Sequence, residues 1–198
     1  MNRYLIHHGI RGQKWGERRF QNEDGSLTPE GKIRYAGDSL KRQQTLFVSG
    51  SSKTQDKTSE YYRKKLPKEI RKELKKSIKQ KDKIVVGDAP GIDRQVQDFL
   101  KKHKYKDVEI YGPGKKVRYS ANKNWKTHPI DDPKHEPFSK EWLAKKDKVM
   151  TRVADKGLAV ILDEGATATR NNVQRLIDQN KQVKVYSLNR YEKDNWVG

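Results

Sequence analysis

The chain has no cysteine, only two methionines, and few apolar residues, 32% hydrophobic against 36% charged. Without thiols there are neither disulfides nor thiolate metal sites, and a cytoplasmic life fits best. No apolar run approaches the roughly 20 residues of a membrane span. Residues 1–11 carry two histidines and two arginines but not the apolar core of a signal peptide, so a soluble protein with no membrane partner is expected. The sparse apolar content of 198 residues allows one modest core with an appendage rather than two full domains. Acidic residues are also scarce beside basic ones, 26 against 45, leaving a formal charge of +19. Such an excess attracts nucleotides, nucleic acid and acidic proteins. It is spread along most of the chain, however, and over residues 63–83 it reads equally as the solvated face of a helix.

Residues 1–44 differ from the rest. They are rich in Gly, Arg and His, lack a periodic apolar pattern, and hold the turn signal Asp24-Gly25. Thr28 is placed to cap a short helix with Pro29 at its first position. This region is expected to be an irregular N-terminal arm and linker, and residues 45–198 the main domain. In that domain short β-rich runs alternate with amphipathic segments. Strands are expected at 45–49, 84–86, 108–111, 158–162 and 183–186. Helices are expected at 59–80, with Pro67 as a break, and at 94–102, 139–155 and 168–179. Val96, Phe99 and Leu100 should face inward from the second helix. Trp142, Leu143, Val149, Met150 and Val153 should face inward from the third. Residues 112–137 read as a long irregular insert. The alternation predicts an α/β fold, a Rossmann-like, mostly parallel sheet flanked by helices.

Three loops should gather at the carboxyl ends of the strands, where open α/β sheets bind ligands. The first holds Gly50, Ser51 and Ser52. The second is Gly87-Asp88-Ala89-Pro90-Gly91-Ile92-Asp93, whose glycines would allow close approach and whose Asp93 can accept from a hydroxyl. The third holds Gly165, Thr167, Thr169, Arg170, Asn171 and Asn172 at a helix start suited to phosphate or ribose oxygens. Lys146 and Arg170 are expected as counter-charges. Neither a Walker sequence nor the dinucleotide fingerprint is present. A separate group interleaves Tyr119 and Trp125 with Lys115, Lys116 and Arg118, a composition that can grip single-stranded nucleic acid. The plainer reading makes Trp125 a pin for the insert. His7 and His8 have no cysteine or carboxylate cluster beside them, so no metal site is expected, and no cofactor.

Taken in order, Gly50-Ser51, the 85–93 stretch, Lys146-Asp147-Lys148-Val149-Met150, Ala154-Asp155 and Ala168-Thr169-Arg170-Asn171 resemble the SLOG superfamily. That is the Rossmann-like group of DprA/Smf proteins and LOG nucleotide phosphoribohydrolases. The resemblance spans about residues 45–188 and implies a nucleotide or NAD-derived ligand at the loop edge, held as a sensor or sponge would hold it. It also raises N-glycosidic hydrolysis or transfer, and DprA-like single-strand binding. The chain departs from the pattern at Asp88 and Ala168, which stand where glycines are usual. Asn172 stands where LOG-type hydrolases carry a catalytic Glu, and an amide cannot shuttle a proton. Glu164 and Asp163 lie nearby as candidates to substitute, although either reads equally as part of a solvated acidic loop. Residues 4–35, from His7-His8-Gly9-Ile10-Arg11-Gly12 through Trp15, Phe20 and Thr28-Pro29-Glu30-Gly31, are similar to a segment recurring in phage head- and virion-associated proteins. That similarity implies a phage structural protein as partner, with the protein in the host cytoplasm or packaged in the particle. Homo-oligomerisation is left open.

Overall fold

The computed structural model describes residues 20, 22, 24, 26, 28–31, 42–51, 66–162 and 165–187. Expectations for Ser52, Asp163, Glu164, most of the arm and the 59–65 part of the first helix fall outside them. Two compact units divide the chain, Met1–Arg42 and Gln43–Gly198.

In the first unit, the Asp24 carboxylate accepts from the Ser26 backbone N–H (2.8 Å) and hydroxyl (2.6 Å), closing an Asx turn. Thr28 Oγ1 accepts from the Gly31 N–H at 3.1 Å, so Thr28 caps the short helical stretch at 29–31 as its sequence predicts.

The second unit is built on six strands. In chain order they are β1 (Thr45–Gly50), β2 (Lys83–Gly87), β3 (Val108–Pro113), β4 (Lys126–Ile130), β5 (Lys156–Ile161) and β6 (Gln182–Ser187). They form one parallel sheet in the order β4-β3-β2-β1-β5-β6. Helices α1 (Lys68–Gln80), α2 (Ile92–Lys102), α3 (Lys140–Val153) and α4 (Thr167–Asp178) flank it. This is the Rossmann-like α/β arrangement expected.

Period-two alternation explains why both sheet faces are covered. Leu46, Val48, Ile84, Val86, Ile110, Leu158 and Val160 join one apolar cluster with Ile70 and Leu74 of α1 and Val96 and Leu100 of α2. Their neighbours Phe47, Val85, Tyr111 and Ala159 point the other way, toward Met150 of α3 and Val173 and Leu176 of α4. Phe99, Leu143 and Val149 are half-buried rather than core, and Val153 is 43% exposed at the last turn of α3. A core-facing stripe on a terminal turn runs out of sheet to cover.

One segment differs from expectation. Residues 112–137 are not wholly irregular, because 126–130 form edge strand β4, with Tyr111 beside His128 in the register. Its sequence, KTHPI, lacks the apolar density of a central strand; an edge strand is half solvated and tolerates Pro129. Helix α1 begins at Lys68 with Pro67 immediately before it, so the segment breaks at the proline as expected, and its part before Leu66 lies outside the described residues.

Gly50 ends β1 where α2 begins, and a Cβ there would lie 2.3 Å from Cγ2 of Ile92. Ile92 is fully buried and has nowhere to go. Gly50→Ala is therefore expected to cost about 1–3 kcal/mol, the usual range for overpacking. Urea unfolding measures this directly, and an unchanged midpoint would show that the strand end and helix can separate freely.

Candidate functional site

The chain runs outward from β1 through β2 and β3 to β4, then returns to place β5 on the other side of β1. Strand order reverses there, and the loops leaving β1 and β5 diverge to open a crevice. A cavity of about 470 Å³ occupies that crevice.

Of the residues expected to bind ligand, Gly50, Ser51, Gly87, Asp93, Lys146, Gly165, Thr169 and Asn172 line it together. Asp88, Gly91, Thr167, Arg170 and Asn171 do not. Ser49, Asp147 and Leu143 line it as well, although none was singled out as a site residue. For Asp147 a signal was available, since Lys146-Asp147 places a cation and an anion side by side on a helix.

Several of these groups are engaged in holding the crevice open. Ser51 ties the ends of the diverging strands. Its N–H donates to the Val160 carbonyl at 3.1 Å, and its hydroxyl accepts from the Leu162 N–H at 3.2 Å. Asn172 donates from Nδ2 to the Ser49 hydroxyl (3.0 Å) and accepts from Arg175 (2.6 Å), clamping α4 to β1. An amide fits that double role because it donates and accepts at once. The strand-end glycines serve packing too. A Cβ on Gly87 would lie 2.2 Å from Asp93 Oδ2, and one on Gly112 2.5 Å from Asp88 Oδ2. Gly91 has φ of 88°, a left-handed conformation that lets α2 start directly behind the loop.

Asp88 is a correction to the expected ligand set. It is 0% exposed and receives the Arg118 backbone N–H (2.8 Å), Nε (3.0 Å) and NH2 (2.5 Å). This carboxylate fastens the insert to the end of β2. Arg118, expected on a nucleic-acid surface, is thereby held at the cavity wall. Beside Asp88 its pKa is held above the usual arginine value. Tyr119 donates its hydroxyl to Asp98 (3.0 Å) and lies under Arg94. Trp125 is 4% exposed and donates its indole N–H to the Tyr105 carbonyl at 3.0 Å. Lys115 and Lys116 are exposed, whereas Arg118, Tyr119 and Trp125 are tied into the fold. A wider groove, about 1050 Å³, runs between α1 and α2 among Lys68, Arg71, Lys72, Lys75 and Lys102. Its lysines are surface cations, whereas the crevice gathers buried polar side chains.

The electrostatics of the crevice centre on Asp93. It is 7% exposed, and Oδ2 accepts the Ala89 N–H at 3.2 Å. Burial is the main cause that lifts its pKa, opposed by Lys146 and the Ala89 N–H, reinforced by Asp147 and Asp88, to about 7. Lys146 lies 2.6 Å from Asp147. Burial works against its charge, but Asp147, Asp93 and Asp88 outweigh that and hold its pKa above the usual lysine value. A cavity-lining carboxyl that titrates near neutrality can give or take a proton. Among the described residues no group of three or more His, Asp or Glu is arranged to hold a metal ion. No helix among them is long and apolar enough to cross a membrane.

The raised pKa has a stability consequence. Between about pH 4 and pH 7 the folded state keeps a proton on Asp93 that the unfolded state has lost. Its contribution is therefore complete below pH 4 and disappears as pH rises through 7. Asp93→Asn removes this titration. The stability of wild type minus that of Asp93→Asn should fall by a few kcal/mol from pH 4 to pH 8, at up to about 1.4 kcal/mol per unit. Urea unfolding across that range tests it, and a constant difference would refute the assignment. No protein-family model and no curated protein matches the chain.

Proposed function

We propose that the crevice binds a nucleotide or a nucleotide-derived, NAD-related ligand, in the manner of a sensor or sponge. The observation that carries this reading is the start of α4. Its N-cap is Ala166, which supplies no side-chain hydrogen bond, and no acidic residue lies in its first turn. The Thr167 N–H donates to the Gly165 carbonyl at 2.8 Å, and the N–H groups of Ala168 and Thr169 carry the partial positive charge that favours an anion. Thr169, one turn in, lines the cavity, and among the described residues its hydroxyl takes no partner, which leaves it able to donate to a ligand oxygen. Phosphate oxygens satisfy both features. The cavity is also of the size that takes ligands of this class.

A second reading draws on Asp93. Cleaving the N-glycosidic bond of a nucleoside monophosphate is aided by a proton delivered to its departing neutral base, and Asp93 is a cavity-lining carboxyl whose pKa is raised to about 7. Release of free base from nucleoside monophosphates or NAD distinguishes an enzyme from a sensor.

Melting the protein against AMP, NAD, ADP-ribose and cyclic dinucleotides tests the binding reading. A ligand at a hundred times its Kd should add about 2.7 kcal/mol to stability, and unchanged melting across the panel would overturn it. Thr169→Val should weaken a bound phosphate roughly three- to tenfold, the range for one hydrogen bond, without destabilising the free protein. Arg170→Ala should have little effect on affinity, since Arg170 does not line the cavity.

A further inference from the structure

Charges around the crevice do not balance pairwise among the described residues. From the loop after β2 come the buried Asp88 and Asp93, from the loop after β3 comes the partly exposed Arg118, and from α3 come the buried Lys146 and Asp147. Arg118 is committed to Asp88, with contacts of 2.5 and 3.0 Å, and Lys146 to Asp147 at 2.6 Å. Among the described residues Asp93 has no ion-pair partner within bonding distance and accepts the Ala89 N–H at 3.2 Å. It is almost wholly buried, and it lines the same cavity as the uncapped start of α4.

The sign of this odd carboxyl decides what the cavity accepts. When Asp93 is ionised, the five groups sum to one negative charge, and an anion entering the crevice meets an unpaired carboxylate in a poorly solvated site. When it is protonated, the five sum to zero, and the field at the start of α4 is left to the helix and the Thr169 hydroxyl. An anion therefore binds the protonated form better, and by linkage its binding draws a proton in.

We propose that the crevice binds its anionic ligand together with a proton, carried on Asp93. The proposal rests on the reading of the crevice as a site for phosphate-bearing ligands. It makes that site proton-coupled, with affinity highest in mildly acidic conditions. Since Asp93 titrates near pH 7, affinity should fall about tenfold between pH 6 and pH 8.

The test uses ADP-ribose and 3′,5′-cyclic AMP, whose phosphates keep their charge across the pH range used. Calorimetric titration of the full chain at pH 7, in two buffers with unlike heats of ionisation, counts protons taken up. About half a proton per ligand is expected for wild type. Asp93→Asn should take up none and should bind about tenfold tighter than wild type at pH 8. The carboxyl carbon resonance of Asp93, followed through pH with and without ligand in wild-type protein, gives the same answer without any variant. Binding with no proton uptake would overturn the proposal while leaving the nucleotide reading intact. So would uptake that persists in Asp93→Asn. Absence of binding by both probes and by the wider melting panel would remove the nucleotide reading and the proposal with it.

Discussion

Three buried carboxyl groups share two cations at the carboxyl ends of β2 and β3, and much of the crevice's character follows from that imbalance. Burying any ionised group is costly unless it is paired and hydrogen-bonded. Asp88 meets the condition through three donors of Arg118, and Asp147 through Lys146. Asp93 does not, and the resolution open to it is to hold its proton. The geometry around it is tight. Gly87 has no room for a Cβ because Asp93 Oδ2 fills that space, and Lys146 Nζ would lie 3.2 Å from the same Cβ.

The architecture was legible in the sequence because its signals were local. Runs such as Ile84-Val85-Val86 and Leu158-Ala159-Val160 are too short for helices and too apolar for exposed strands, so a sheet covered on both faces follows. β4 was not legible. It pairs only with β3, and an edge strand needs no continuous apolar run to hold its place. Helix ends were read to within two or three residues for α2, α3 and α4. Pro67 marks a boundary that its missing N–H and fixed φ make readable from the sequence.

The candidate site was legible as a place more than as a set of roles. Strand-end loops announce themselves by glycine and polar residues, and eight of the residues expected there do line one cavity. Their roles depend on long-range partners that no local pattern encodes. Asp88 looked like a ligand group, but Arg118 lies 30 residues on and takes both of its oxygens. Arg118 and Trp125 looked like a nucleic-acid grip because basic and aromatic residues interleave there. In the fold one side chain turns toward Asp88 and the other inward toward Tyr105. Asn172 replaces the carboxylate that the SLOG resemblance would place there, and its bonds to Ser49 and Arg175 give the amide a structural reason of its own.

The net charge of +19 and the near-neutral crevice act on different length scales. Surface lysines such as those of α1 raise the concentration of any anion near the protein, but salt confines that effect to a Debye length of about 8 Å under physiological conditions. They do not choose among anions. In the proposed ligand reading, selection would belong to groups that an entering anion must desolvate: the start of α4, the Thr169 hydroxyl and the carboxyl of Asp93. A crevice lined with unpaired cations would bind phosphate in any form and hold it. Here Arg118 and Lys146 are already matched by carboxylates, so under that reading long-range attraction would deliver a ligand while the short-range balance of protons and hydrogen bonds would decide whether it stays.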